Sequence, residues 1–183
     1  TNQVNQVCNW VLAPASISHE IEIMAYNIMF SLLAELNYNG VLAIEFFYGP
    51  KGLLVNEIAP RTHNSGHFSI EACSSSQFDQ QLCISAGLPV PSTELKFPGA
   101  LMVNLLGLPR GFPSPIKQRL SQLNELDDVF LHWYEKSFES IGRKLGHITI
   151  LLNETSPPLR RKEALEVLKK IRSIWPLNAD NLY

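Results

Sequence analysis

The sequence concentrates its chemically active side chains in residues 56–67, directly after a strand-like apolar run. This polar segment carries, in order, Glu57, Arg61, His63, Asn64 and His67. A second carboxylate, Glu45, lies upstream on another strand-like run. Mg²⁺ prefers one or two carboxylates together with phosphate oxygens, and a buried carboxylate is costly unless it is paired or bound to a cation. The two glutamates, followed by a basic loop, therefore predict a site for a divalent metal and a phosphate.

The polar segment also has the residue types that bind an oxyanion. Arg61 offers a planar fork of donors, and His63 and Asn64 would add directional hydrogen bonds. The backbone N–H groups of Ser65 and Gly66 could bind the same anion. The plainer alternatives are that each glutamate faces solvent or pairs with a lysine, and that the segment is a polar surface loop. For the glutamates, spacing alone favours the plainer alternative over a metal site. For the polar segment, it does not decide between an oxyanion site and a surface loop.

A third cluster lies between two predicted strands further along the chain. Lys136, Arg143 and Lys144 flank a short loop there. Gly142 and Gly146 would let the backbone of this loop approach a ligand closely. Such a loop suits a phosphate group. A basic, solvated hairpin tip is the alternative, and it is favoured when the cluster is taken alone.

Two neighbouring strands, predicted at residues 41–48 and 53–57, must position the two glutamates. The link between them is so short that they should form an antiparallel hairpin. Strand alternation puts Glu45 on one face of the first strand and places Val55 and Glu57 together on one face of the second. Both acids can then reach one ion.

The remaining predicted elements frame this hairpin. Ser18 is a good N-cap for the helix that precedes it, and Asn39 and Gly40 should end that helix. Helices are predicted over residues 18–37, 69–86 and 158–173, and strands at residues 7–12, 100–107, 129–134 and 146–152. The composition changes at the proline-containing connector over residues 88–91. The pattern therefore predicts two small domains that meet near residue 88.

The composition excludes several classes of protein. An apolar content of 45% and a charged content of 17% in 183 residues are globular values. A net charge of −2 provides no strong field for nucleic acid or a membrane surface, and no apolar run approaches the length of a membrane span. The three cysteines show no metal-ligand spacing, which favours reduced thiols in a cytosolic protein. Because the chain starts without methionine, directly before a predicted strand, we expect it to be a piece of a longer protein.

Residues 56–67 resemble the signature of the 5-(carboxyamino)imidazole ribonucleotide synthases, ATP-dependent enzymes of purine biosynthesis. The similarity extends over most of the chain, through residues 11–15, 76–79, 87–89, 132–136 and 142–147. The resemblance implies the ATP-grasp superfamily and an α+β fold. Residues 1–88 would be the second lobe of the ATP-grasp domain, an antiparallel sheet with helices. Residues 89–183 would be a small C-terminal α/β domain that closes the ribonucleotide site.

The resemblance also implies a reaction and a role for each site residue. ATP and bicarbonate would give carboxyphosphate and ADP, and the amine of 5-aminoimidazole ribonucleotide would then be carboxylated. Glu45 and Glu57 would bind Mg²⁺ or Mn²⁺, with Asn56 beside Glu57 on the ATP side. The catalytic residues that hold bicarbonate or carboxyphosphate would be Arg61, His63 and Asn64, next to Ser65 and Gly66. The 5′-phosphate of the ribonucleotide would be bound by Lys136, Arg143 and Lys144.

Two departures from the family pattern affect these expectations. Thr62 stands where the family usually has proline, which should alter the stiffness of the loop more than its chemistry. The chain is also shorter than the family and lacks the part that contacts adenine. We therefore expect a homodimeric enzyme that needs the missing N-terminal half, and an inactive chain when that half is absent.

Three other functions stay open from the sequence. They are another ATP-grasp carboxylate–amine ligase, a biotin-carboxylase-like enzyme, and a non-catalytic assembly remnant. The cluster between His132 and His147 argues against the first two. The presence of both glutamates and of the whole Arg61–Asn64 motif argues weakly against the third.

Overall fold

The computed structural model describes residues 1–4, 6–109 and 114–176. In chain order the elements are β1 (Asn2–Val4), β2 (Val7–Ala13), α1 (His19–Leu36), β3 (Ala43–Gly49), β4 (Gly52–Ala59), α2 (Ser69–Ala72), α3 (Gln77–Ser85), β5 (Gly99–Leu106), α4 (Ile116–Asn124), β6 (Val129–Trp133), β7 (Lys144–Leu152) and α5 (Pro157–Ile174). A 3₁₀ turn spans Asn64–Gly66. The elements form two compact units, one of residues 15–94 and one of residues 1–14 with 95–183. The α+β fold class predicted from the sequence is confirmed.

The second unit is built on a five-stranded antiparallel sheet. Its strands lie in the order β1-β2-β5-β7-β6. All eight residues of β5 are buried, which explains the continuous apolar run that marks this strand in the sequence. Helices α4 and α5 contact the sheet and each other. The core between them contains Leu101, Val103, Leu105, Leu123, Ile148, Ile150, Leu152, Ala164, Ile171 and Trp175.

The boundary between the units differs from the prediction at the N-terminal end of the chain. Residues 1–14, which the sequence places with the first domain, belong to the second unit. The reason is that β2 pairs with β5, from Trp10 opposite Val103 to Ala13 opposite Ala100. This pairing satisfies backbone groups that an isolated strand would leave unpaired.

Helix α5 starts as the sequence predicts, with prolines in its first turn. The sequence also predicts one apolar face for this helix, formed by Leu159, Ala164, Leu165, Leu168 and Ile171, with Arg160 on the opposite face. This prediction is only partly correct, because Leu159 and Leu165 are exposed while Arg160 is buried. The Arg160 guanidinium donates to the carbonyl oxygens of Pro98 and Thr155, at 3.0 and 3.1 Å. These bonds offset the cost of burying its charge.

The first unit begins with α1, whose N-cap is Ser18 as predicted. The helix ends earlier than expected, because Asn37 takes the left-handed conformation and caps it. Strands β3 and β4 form the predicted antiparallel hairpin as a separate two-stranded sheet.

The predicted helix over residues 69–86 is wrong, since the chain forms two helices, α2 and α3, separated by residues 73–76. Ser76 and Asp79 form a capping box that starts α3: Ser76 accepts from the Asp79 N–H, and Asp79 accepts from the Ser76 N–H. The Ser76 bonds also hold the pKa of the Asp79 carboxyl below its usual value. Strand β1 and helix α4 were missed from the sequence.

Cys8 and Cys73 are buried in the structure, and Cys83 is half-buried. Among the residues that the structure describes, no helix is both long enough and apolar enough to cross a membrane.

Candidate functional site

A β-bulge in the hairpin places the two predicted acids opposite each other. Glu45 pairs with Glu57 and Phe46 pairs with Val55, so Asn56 is an extra residue on β4. The regular alternation predicted from the sequence is therefore wrong here: Val55 shares its face with Phe46, not with Glu57. The side chain of Asn56 donates to a Glu45 carboxylate oxygen at 3.3 Å.

His63 completes this cluster. Its Nε2 lies 3.9 Å from Glu45 Oε1 and 4.0 Å from Glu57 Oε1. One possible ligand atom from each of the three side chains lies within 4.8 Å of the others. The side chains of His63 and Glu45 are only 11% and 14% exposed, whereas that of Glu57 is 50% exposed. The cluster is thus a partly enclosed acidic site with one side open.

The hydrogen bonds of His63 show what its imidazole can do. The Ser65 N–H donates to His63 Nδ1 at 3.3 Å, and the Ser65 hydroxyl lies 2.8 Å from the same atom. Because Nδ1 accepts a bond, the neutral imidazole carries its proton on Nε2, as assigned from this network. That Nε2–H faces the two glutamates. Two carboxylates suit a hard divalent cation, whereas His63 is arranged to donate to an oxyanion beside them.

Arg61 and the turn after His63 lie in the same segment. Arg61 is exposed, and its Nη1 donates to the Thr62 carbonyl at 2.9 Å. The Gly66 N–H bonds to the His63 carbonyl at 3.0 Å, and the Ser65 N–H is already engaged with the His63 ring. The sequence-based idea that the amides of Ser65 and Gly66 bind an anion is therefore not supported by this arrangement. Asn64 starts the 3₁₀ turn.

Gln77, at the start of α3, contacts this segment and was not predicted as a site residue from the sequence. It is 8% exposed, and its side chain makes hydrogen bonds to the backbone of His63 and to the ring of His67. Two signals in the sequence could have found it: its place within residues 76–79, which carry part of the family resemblance, and its position directly after Ser76, a strong N-cap residue that predicts the start of a helix.

The basic cluster lies in the other unit, between β6 and β7. Lys136 Nζ donates to the Lys144 carbonyl at 2.7 Å and lies 5.2 Å from the centre of the Tyr134 ring. Arg143 donates to the Phe138 carbonyl at 3.0 Å. Gly142 has a φ of 74°, a conformation that favours glycine and that turns the loop back into β7. Of the predicted phosphate ligands, Lys136 has two described side-chain contacts and Arg143 has one.

The Tyr134 side chain beneath Lys136 contacts His147, which in turn stacks on His132. The Tyr134 hydroxyl lies 2.7 Å from His147 Nδ1. His132 and His147 pair across β6 and β7, and their rings stack at 4.4 Å. Burial raises the pKa of Tyr134 to about 12. Gly146 is required beside them, because a Cβ there would meet the His132 carbonyl at 2.5 Å.

The structure thus brings the predicted site residues together in two groups. The unit of residues 15–94 contains Glu45, Asn56, Glu57, Arg61, His63, Asn64, Ser65 and Gly66. The other unit contains Lys136, Arg143 and Lys144.

Two protein families match parts of the chain. The ATP-grasp domain matches residues 1–78, and the phosphoribosylaminoimidazole carboxylase C-terminal domain matches residues 100–160. The N5-carboxyaminoimidazole ribonucleotide synthase of Synechococcus elongatus is 47% identical over 176 residues, which cover 96% of this chain and 44% of that protein. Over nearly all of its length this chain is similar to part of the N5-carboxyaminoimidazole ribonucleotide synthases. The Synechocystis member is 42% identical over 184 residues, covering 96% of this chain and 47% of its own length.

Solved structures show the same similarity. An ADP complex of an N5-carboxyaminoimidazole ribonucleotide synthetase has a TM-score of 0.79 and 35% identity, over 95% of this chain and 43% of that one. The Aspergillus clavatus enzyme, in complex with ADP and 5-aminoimidazole ribonucleotide, has a TM-score of 0.77 and 29% identity, over 93% of this chain and 46% of that one. This chain therefore spans less than half the length of these relatives. The matches do not favour the alternative ATP-grasp ligases.

Proposed function

We propose that these residues act in an enzyme that uses ATP and bicarbonate to carboxylate the amine of 5-aminoimidazole ribonucleotide. The observation that carries the proposal is the cluster of Glu45, Glu57 and His63, in which two carboxylates face an imidazole N–H. The similarity to N5-carboxyaminoimidazole ribonucleotide synthases supports the choice of substrates. The proposal assigns residues 15–94 to ATP and bicarbonate, and the basic cluster around Lys136 to the ribonucleotide.

The acidic cluster fits a divalent metal by its donor set. Glu45 and Glu57 would hold a Mg²⁺ or Mn²⁺ ion, whose charge would neutralise phosphate oxygens of ATP during phosphoryl transfer. Asn56 keeps the Glu45 carboxylate in place through its side-chain amide. Asn56 would thereby orient a ligand carboxylate, as residues around metal sites commonly do.

The oxyanion side of the proposal rests on His63, Arg61 and Asn64. The His63 Nε2–H would donate to bicarbonate, and then to carboxyphosphate, at the place where negative charge accumulates. Arg61 is exposed and uses one guanidinium nitrogen for the Thr62 carbonyl, so the rest of its planar fork can bind a second oxygen. Because carboxyphosphate is labile in water, the complete site should also exclude solvent from it.

The basic cluster would bind the 5′-phosphate. Lys136 has three N–H donors, and the Lys144 carbonyl takes one of them. The remaining donors would bind phosphate oxygens, and the charges of Lys136, Arg143 and Lys144 would neutralise the phosphate. A homodimeric assembly and a cytosolic location belong to the same proposal and are supported by the family resemblance.

A chimaera tests this function independently of the length of the chain. Residues 1–183 would replace the matching segment of the Synechococcus elongatus synthase, and ADP release would be followed with Mg-ATP and bicarbonate. We expect release that depends on both bicarbonate and 5-aminoimidazole ribonucleotide. The unaltered relative is the positive control. An active relative beside an inactive chimaera, or ADP release that ignores the ribonucleotide, would contradict the proposal.

The same assay applied to the 183-residue chain alone addresses the need for the rest of the enzyme. We expect no ribonucleotide-stimulated ADP release. Stimulated release would show that these residues suffice for the reaction.

A further inference from the structure

The side-chain amide of Gln77 binds the backbone of His63 in the polar loop through both its oxygen and its nitrogen. Its Oε1 accepts from the His63 N–H at 2.7 Å, and its Nε2 donates to the His63 carbonyl at 2.8 Å. One side chain thus makes both backbone hydrogen bonds of His63, as a neighbouring strand would. These bonds also fix which end of the amide is oxygen, because an N–H must face the oxygen and a carbonyl must face the nitrogen.

The second N–H of the Gln77 amide reaches the other histidine of the loop. Nε2 lies 3.0 Å from His67 Nδ1. Because Nε2 is a donor, His67 Nδ1 must accept, and the neutral His67 ring carries its proton on Nε2. The His67 ring also stacks on Phe78, the residue that follows Gln77 on α3. Gln77 and its neighbour therefore set both the orientation and the tautomer of His67.

The backbone of Gln77 is tied to the same loop. The Gln77 N–H donates to Ser69 Oγ at 3.0 Å, and the Ser69 hydroxyl donates to the Gly66 carbonyl at 2.6 Å. Gly66 packs so closely on Gln77 that an added Cβ would lie 2.9 Å from Oε1. Gln77 is only 8% exposed, and burial strengthens such hydrogen bonds relative to bonds in water.

We propose that Gln77 is a positioning residue that holds His63 with its Nε2–H toward the Glu45–Glu57 pair and keeps the His67 proton on Nε2. Through these contacts the loop keeps one imidazole donor aimed at the acidic cluster. Gln77 itself touches neither carboxylate in the contacts described, so its effect passes through His63. The mechanistic meaning of this inference rests on the proposed oxyanion role of His63, but the contacts themselves do not.

The first test reads the histidine rings directly in the 183-residue chain labelled with ¹⁵N-histidine. Long-range ¹H–¹⁵N spectra at about pH 8, where unperturbed imidazole is neutral, should show His63 and His67 protonated on Nε2. Gln77→Glu replaces the donor to His67 with an acceptor, so we expect the His67 proton to move to Nδ1. The same variant sets a carboxylate oxygen against the His63 carbonyl and should shift the His63 resonances as well.

Gln80→Met is the matched control, because Gln80 lies on the same helix and its amide contacts only Ser75 in the hydrogen bonds described. The control should leave both histidine spectra unchanged. Unaltered His63 and His67 spectra in Gln77→Glu would overturn the inference. So would equal changes in Gln77→Glu and the control.

The second test uses Mn²⁺ as a paramagnetic probe of the same labelled chain. In the unsubstituted chain, Mn²⁺ at the glutamates should broaden the His63 ring signals. Gln77→Met removes the donors and the acceptor at similar side-chain length, and it should weaken this broadening while the two carboxylates still bind Mn²⁺. Broadening of His63 equal to that of the unsubstituted chain would count against a positioning role.

The two tests separate this inference from the proposed function. If Mn²⁺ does not bind the unsubstituted chain, the proposed metal site fails, whereas the histidine spectra still decide the role of Gln77. In the active chimaera, Gln77→Met should lower kcat by about 10- to 100-fold, the usual effect of removing a group that orients a site residue. Because Gln77 does not contact ATP in this scheme, the KM for ATP should stay unchanged.

Discussion

Glu57 and Lys136 lie in different compact units and are proposed to hold different ligands. Their side chains also have different surroundings. Glu57 is half exposed at a bulge beside Glu45, whereas Lys136 is held by a backbone carbonyl over an aromatic ring. Substitutions at the two positions should therefore affect different steps of the reaction.

Glu57→Gln in the chimaera should abolish ADP formation while ribonucleotide binding is retained, because the neutral amide loses charge at the proposed metal site. Lys136→Ala should instead weaken ribonucleotide binding. ADP release and calorimetric titration with the ribonucleotide measure the two effects. Glu166→Gln, on an exposed i,i+4 pair of α5, is the control and should change neither. The reverse pattern for the two site variants would show that the sites are wrongly assigned.

Tyr134 should give a pH dependence to the stability of its unit. Its folded pKa is raised to about 12, above the unfolded value near 10. The contribution of the neutral hydroxyl is therefore fully present below about pH 10 and is lost as the pH rises towards 12. Denaturant titrations of the chain should show this loss, and Tyr134→Phe should reduce it. An unchanged pH dependence in Tyr134→Phe would assign the loss to other groups.

At the scale of elements, the start of α3 determines where Gln77 lies. The capping box of Ser76 and Asp79 begins the helix at Gln77, which places the glutamine side chain against the loop of His63. The hairpin depends on a comparable local detail. The bulge at Asn56 absorbs one residue and so leaves Glu57 opposite Glu45. A regular ladder would put Asn56 there instead.

Ser76→Ala should destabilise the unit of residues 15–94 by about 1 kcal/mol, the typical cost of removing an N-cap side chain. Urea unfolding monitored by far-UV circular dichroism would measure it. Ser173→Ala is the control, because this hydroxyl is exposed near the end of α5 and bonds only to the Lys170 carbonyl in the contacts described.

Asp79 should make the stability of the same unit depend on pH in the acid range. Its pKa is lowered in the folded state, so its contribution is present above the unfolded pKa and is lost as the pH falls through the folded value.

At the scale of the whole molecule, the two units differ in how much apolar surface they bury. The described core cluster lies entirely in the five-stranded unit. In residues 15–94 the buried apolar residues described are Ile21, Ala59, Ala72 and Cys73. Large apolar side chains of α1 are exposed, among them Phe30 at 63% and Leu36 at 59%.

Hydrogen exchange of the chain should reflect this difference. We expect the slowest amide exchange in β5 and β7, whose residues are nearly all buried, and faster exchange in α1. Mass spectrometry of peptides from the exchanged chain would measure both. Protection of α1 equal to that of β5 would contradict the expectation.

The sequence by itself determined the features that depend on near neighbours. Alternation and short turns predicted the β3–β4 hairpin, and Ser18 predicted the start of α1. The residue types alone marked Glu45, Glu57 and His63 as candidates for one site. The presence of Ser76 three residues before Asp79 was also in the sequence, yet one helix was predicted across the break between α2 and α3.

Only the tertiary structure decided the contacts between residues that are distant along the chain. The bulge at Asn56 depends on how two strands pair, and the bonds from Gln77 to His63 join residues 14 positions apart. The pairing of β2 with β5 moved the N-terminal strand into the second unit. Such contacts follow from which backbone and side-chain groups can satisfy one another in space. Periodicity along the chain contains no information about that choice.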